Sequence, residues 1–175
     1  MKKSRVDWIL FIIFLVLALA INAYIIYHAC LNGAKSSAAS EGVVEVSENV
    51  VNTVKPNTIT EANHDSFATF IRKAFGHFGL FVISGFFTSL AVFLLLNMTS
   101  SSQHYINAVI GLSLGLLLAI ITETIQLFVE GRSGEITDIL IDFSGYLLGA
   151  LIVGLVLFIV IRNRNKKAQQ VTSAQ

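Results

Sequence analysis

The sequence predicts an all-α, polytopic membrane helical bundle with four transmembrane helices plus an external interfacial amphipathic helix. Three observations predict it. Of the 175 residues, 54% are apolar and only 13% charged, with a mean hydropathy of +0.73, whereas soluble domains carry about 25% charged residues. Four apolar stretches of 19–23 residues recur along the chain. Ionisable residues are scarce inside those stretches except late in the third and early in the fourth.

The stretches are residues 8–27, 78–96, 106–128 and 139–161. About 20 residues at 1.5 Å rise cross a hydrocarbon core of roughly 30 Å. A backbone in lipid must satisfy its own hydrogen bonds, so each stretch is expected to be a helix. The first, residues 1–30 with its leader, follows Lys2, Lys3 and Arg5 and has Asn22 as its only strongly polar member. It is too long for the apolar part of a signal peptide, and no small-x-small cleavage site follows, so it reads as a retained helix.

Basic residues set the expected orientation. Lys2, Lys3 and Arg5 precede the first span, and Arg162, Arg164, Lys166 and Lys167 follow the last, in a basic tail of residues 162–175. An even number of spans puts both clusters on one side, seven basic residues against the five at Lys35, Lys55, Arg72, Lys73 and Arg132. Both termini are therefore expected to be cytoplasmic, in a bacterial inner membrane. A net charge of +1 gives no global pull toward nucleic acid. The single cysteine, Cys30, excludes an intramolecular disulfide and a cysteine-based zinc cluster.

Residues 31–66 then form an external loop, read as partly mobile. Val43, Val46, Val50 and Val54 could make a weak helical stripe within it. From Asp65 the periodicity sharpens: Phe67, Phe70, Ile71, Ala74, Phe75 and Phe78 fall on one helical face, with Asn63 or Asp65 as N-cap. This is the expected interfacial helix, opening a membrane domain of residues 67–161. Arg72 and Lys73 sit off the stripe, placed either to meet phosphate headgroups or only to anchor the helix end.

Charge within a membrane segment costs a few kcal/mol, so it usually has a partner or a task. Glu123 and Gln126 end the third span, Glu130, Arg132 and Glu135 lie in the turn, and Asp138 and Asp142 open the fourth. The predicted topology brings this set level with Arg72, Lys73 and His77. Along the fourth span, Asp138, Asp142, Gly145 and Gly149 step by four, three and four residues, a polar stripe followed by a small one. Gly145/Gly149 and Gly111/Gly115 are both GxxxG pairs, which predicts close packing of the third and fourth helices as an antiparallel hairpin. Arg132 is the expected bidentate partner of Glu123 or Asp138. Candidate acid–base residues are Glu123, Asp138 and His77; candidate binding residues are Arg72, Lys73, Gln126, Arg132 and Asp142. No standard ligand spacing supports a metal, and no cofactor is expected.

The run Glu123-x-x-Gln126, Gly131-Arg132, Asp138, Asp142, Gly145, Gly149 resembles the signature of the VanZ-like family: E-x-x-Q, a G-R turn, then D-x-x-x-N-x-x-G-x-x-x-G. Arg72-Lys73-x-x-x-His77-Phe78 is similar to that family's upstream basic-x-x-H-F motif. The resemblance spans roughly residues 72–160 and leaves out the first helix and the 31–66 loop. Three positions depart from the pattern: Asp142 stands for an Asn, Leu80 for a Glu and Phe81 for a Tyr.

The family is named for low-level resistance to teicoplanin, a lipid-tailed glycopeptide acting on cell-wall precursors at the outer leaflet. The resemblance thus implies an envelope protein linked to teicoplanin susceptibility and supplies no reaction. Three functions are consistent with these residues. The first is an external-leaflet polar pocket that binds an anionic lipid headgroup, a lipoglycopeptide antibiotic or a lipid-linked cell-wall precursor. The second is a membrane-embedded enzyme acting on a lipid phosphate or ester, although no Ser-His nucleophile motif is present. The third is a non-catalytic scaffold stapled by ion pairs.

Overall fold

The computed structural model describes residues 5–99 and 104–173; Lys2, Lys3 and the centre of the 97–105 loop lie outside them. Among the described residues the chain is helical, with no strands. Four helices are long and apolar enough to cross a membrane: Arg5–Ala29 (α1), His64–Asn97, Ala108–Gln126 and Ile136–Asn163. The chain's one proline, Pro56, lies in a turn, which leaves every helix interior free to keep its backbone hydrogen bonds.

The stretch expected as a partly mobile loop contains a 22-residue helix, α2 (Gly33–Val54). Asn32 caps it, its side chain accepting from the Lys35 N–H at 2.9 Å. The valine stripe does not supply the buried face. Val43, Val46, Val50 and Val54 are exposed, while Val44 is fully buried against Ala68, Ile71 and Phe67. Those partners belong to α3 (His64–Ile71), which runs back along α2. Three contacts step evenly in opposite directions and make the pair an antiparallel hairpin: Ser40 with Arg72, Val44 with the Ala68 cluster, and Glu48 with His64. Asn52 closes the turn, accepting from the Ile59 N–H at 2.9 Å and donating to the Ile59 carbonyl at 3.1 Å. Asn63 occupies the N-cap position of α3 without capping it, because its side chain binds Thr60 and Thr58 instead.

After α3 the helix widens. Residues Arg72–Gly79 are π-helical, with the Leu80 N–H reaching back to the Phe75 carbonyl. The chain then continues as α4 (Leu80–Thr99) without a break. The predicted apolar face of this segment splits: Ile71 is buried while Phe70 and Phe75 face outward. α5 is His104–Gln126, and α6 runs from Ile136 to Ser173, so the expected basic tail is a continuation of the last helix.

Glycines set how closely these helices meet. A Cβ at Gly145 would overlap the Phe78 carbonyl, one at Gly149 the Val82 carbonyl, and one at Gly85 the Tyr146 carbonyl. The glycine stripe of α6 therefore packs on the π-helical segment and α4, not on α5 as the hairpin expectation had it. On α5, Gly115 faces α6 and makes room for the Tyr146 ring; the Gly111 carbonyl accepts from the Tyr146 hydroxyl at 2.9 Å, while a Cβ there would meet Ser89 of α4. α1 joins α4 through a polar clasp: Ser84 Oγ donates to Asn22 Oδ1 at 2.6 Å, and Asn22 Nδ2 donates to Thr88 Oγ1 at 3.3 Å. The one strongly polar residue of the first span thus answers two hydroxyls that lipid could not satisfy.

Candidate functional site

One end of the bundle collects the polar residues. Its base is the turn between α5 and α6, held against the start of α2 by two glycines. The Gly33 N–H donates to the Glu130 carbonyl at 3.0 Å, and a Cβ at Gly33 would strike the Gly131 backbone. Gly131 has φ +71°, a left-handed conformation that suits glycine. Arg132, the next residue, is thereby aimed back over the end of α5.

Its guanidinium meets neutral partners. Arg132 Nε donates to Gln126 Oε1 at 3.2 Å, and Nη1 donates to Ser36 Oγ of α2. Gln126 in turn donates through Nε2 to Glu123 Oε1 at 3.1 Å. The expected bidentate pairing of Arg132 with Glu123 or Asp138 does not form, because two other groups take those acids. Glu123 Oε2 accepts the Glu135 N–H at 3.1 Å, and Asp138 Oδ1 accepts from Lys73 Nζ at 2.5 Å. Burial lowers the pKa of Arg132 while Glu123 and Asp138 pull it back up.

Lys73 also pairs with Glu135 at 3.0 Å, which holds that carboxyl below its ordinary value. The π-helical segment brings His77 to the centre of the group. His77 Nδ1 lies 3.1 Å from Asp142 Oδ1 and 3.8 Å from Glu123 Oε1, and Nε2 lies 4.0 Å from Asp138 Oδ2. Glu123, Gln126, Asp138 and Asp142 are all buried. Gly145 is the reason Asp142 can come this close: three residues further along α6, it lets the helix rest on the backbone of the segment that carries His77.

Of the residues singled out in the sequence, His77, Lys73, Glu123, Gln126, Arg132, Asp138 and Asp142 meet here. Arg72 stays outside the cluster, donating from Nε to Ser40 Oγ at 3.1 Å and pairing with Glu41 at 3.7 Å on α2, although it lines the same cavity. Glu130 is exposed and contributes its backbone carbonyl. The sequence reading passed over Ser36 and Tyr146. Ser36 lay in a segment with no chemical signature, although Asn32 before a glycine and a polar run could have marked a helix start. A cavity of about 670 Å³ opens beside the group, between α1, α2, the π-helical segment, α5 and α6. Phe81 lies in the apolar cluster with Ile25, Ala119 and Tyr146, and Leu80 packs against it. The family's Glu and Tyr at those two places have no polar counterparts here, whereas Asp142 adds a carboxylate.

Span-length helices with a charged, buried cluster at one end define a polytopic helical membrane protein. The chain belongs to the VanZ/LLP1 family, whose model matches residues 9–159. The match includes the first helix and the α2–α3 hairpin, a larger region than the motifs alone indicated. No curated protein and no solved structure matches the chain.

Proposed function

We propose that the cavity binds the anionic headgroup of a membrane lipid, with Arg132 as the principal contact. One observation carries this reading: no carboxylate lies within ion-pair distance of Arg132 among the described residues, and its hydrogen-bond partners, Gln126 and Ser36, are both neutral. Its charge is held in place by hydrogen bonds and remains available to a phosphate or carboxylate, which a guanidinium recognises through paired N–H donors. With both termini cytoplasmic, the cavity opens toward the outer leaflet of a bacterial inner membrane. There a lipid-tailed glycopeptide such as teicoplanin, or a lipid-linked wall precursor, presents the same chemistry, and occupancy would lower teicoplanin susceptibility.

Retention of phosphatidylglycerol over phosphatidylcholine by the purified protein tests the reading. Arg132→Gln should lose the preference by about tenfold, the worth of a charge-assisted hydrogen bond. Equal retention by wild type and variant would sink it. Expression of the wild type in a susceptible strain should protect against teicoplanin and not against vancomycin, which lacks the lipid tail. A second reading, acid–base chemistry on a lipid phosphate or ester, is favoured by His77 standing among Glu123, Asp138 and Asp142. Release of free phosphate or headgroup from the retained lipid would distinguish it from binding.

A further inference from the structure

His77, Glu123 and Asp142 come from three different helical segments, and one donor atom from each lies within 4.8 Å of the others. Ligands held at about 2.1 Å around a tetrahedral or octahedral ion stand roughly 3.0–3.4 Å apart. Of the two distances from His77 Nδ1, 3.1 Å to Asp142 falls within that separation and 3.8 Å to Glu123 lies just beyond it. The other imidazole nitrogen faces Asp138 Oδ2 at 4.0 Å, and Asp138 is fixed by Lys73. A metal-bound imidazole characteristically turns its free N–H, on the side of the ring away from the ion, toward a carboxylate.

Charge gives the same answer. Lys73 serves Asp138 and Glu135. Glu123 and Asp142, 2% and 1% exposed, have His77 as their one basic neighbour within ion-pair distance among the described residues. Two buried carboxylates sharing one imidazole are poorly compensated, and a dication would neutralise both.

We propose that His77, Glu123 and Asp142 form a divalent-cation site, with Asp138 facing the other ring nitrogen of His77. One imidazole with two carboxylates suits Zn²⁺ or Mn²⁺ better than Ca²⁺, which takes oxygen ligands. His77 and Asp142 also line the cavity, so the positions these three residues leave open face the space where an anionic headgroup would sit. In that last respect the proposal rests on the lipid reading; the ion site itself does not.

The test uses the full chain, purified in detergent with a histidine-free tag, stripped with chelator and titrated with Mn²⁺. Bound ion is read by electron paramagnetic resonance in the absence of anionic lipid. The expected result is one Mn²⁺ per chain, with nitrogen coupling that disappears in His77→Gln. Affinity should fall at least about tenfold in Asp142→Asn and Glu123→Gln, and stay unchanged in the exposed Glu130→Gln. No stoichiometric binding by the wild type, or binding undiminished in both carboxylate variants, overturns the site. Should those variants fail to fold, the wild-type spectrum decides: bound Mn²⁺ without nitrogen coupling overturns it. Because no anionic lipid is present, failure here and failure of the lipid reading are separate results.

Discussion

The first two turns of α6 and the two turns that follow solve opposite problems with one stripe of residues. Asp138 and Asp142 carry charge into a buried cluster, where Lys73 and His77 meet them. Gly145 and Gly149 carry nothing and let the helix rest on the backbone of its neighbours. The polar layer depends on the dry one: a helix held a side chain's thickness further out would leave Asp142 short of His77. Packing therefore positions the chemistry, and the ion pairs do not have to bring the helices together.

The largest expected effect tests that dependence. Gly145→Leu must displace the Phe78 backbone, which cannot swing aside as a flexible side chain would. It should destabilise the bundle by about 3 kcal/mol, at the upper end of overpacking costs. Thermal unfolding in detergent would show this, and a variant as stable as the wild type would mean that α6 is not held by its glycines. Asp138→Asn should do less, since it keeps the shape and removes one charge. Lys73 is 32% exposed and partly hydrated, so the loss should be about 1 kcal/mol. An effect as large as that of Gly145→Leu would reverse the comparison and make the polar layer the clamp.

The smallest effect is a pH dependence at the rim. Lys73 holds the Glu135 carboxyl below the ordinary glutamate value. A carboxyl depressed in the folded state contributes stability that is present above its unfolded value and is lost as pH falls through the folded one. The difference in melting temperature between wild type and Glu135→Gln should therefore be small at neutral pH and vanish below the carboxylate range. A difference that grows on acidification would show that Glu135 does not pair with Lys73.

How much of this was legible in the sequence varies from residue to residue. Asp138, Asp142, Gly145 and Gly149 share a face because of helical spacing alone, and that face could be read directly. Which neighbour the face meets could not be. The glycines suggested α5, and they meet α4 and the π-helical segment, because a close approach needs a bare backbone on the other side as well. Gly85 and the Phe78 carbonyl supply it. Arg132 was matched to the nearest acids by charge, yet geometry gave those acids to Lys73 and to a backbone N–H. The valines of α2 misled for a related reason. A stripe says that a helix has an apolar side; the hairpin partner decides which residue is covered, and it covers Val44.

By itself the sequence determined the class of the protein. Apolar runs as long as a bilayer is thick must be helices, and a scarcity of charge makes each exception conspicuous. Glu123, Gln126, Arg132, Asp138, Gly145 and Gly149, which resemble the VanZ-like signature, likewise stand in order whatever the packing. Only the tertiary structure decided who meets whom. His77, Glu123 and Asp142 have no common spacing, and they become one group because a widened helical turn and a missing Cβ bring three segments together. Distance between residues far apart in the chain is a property of packing, and local pattern does not contain it.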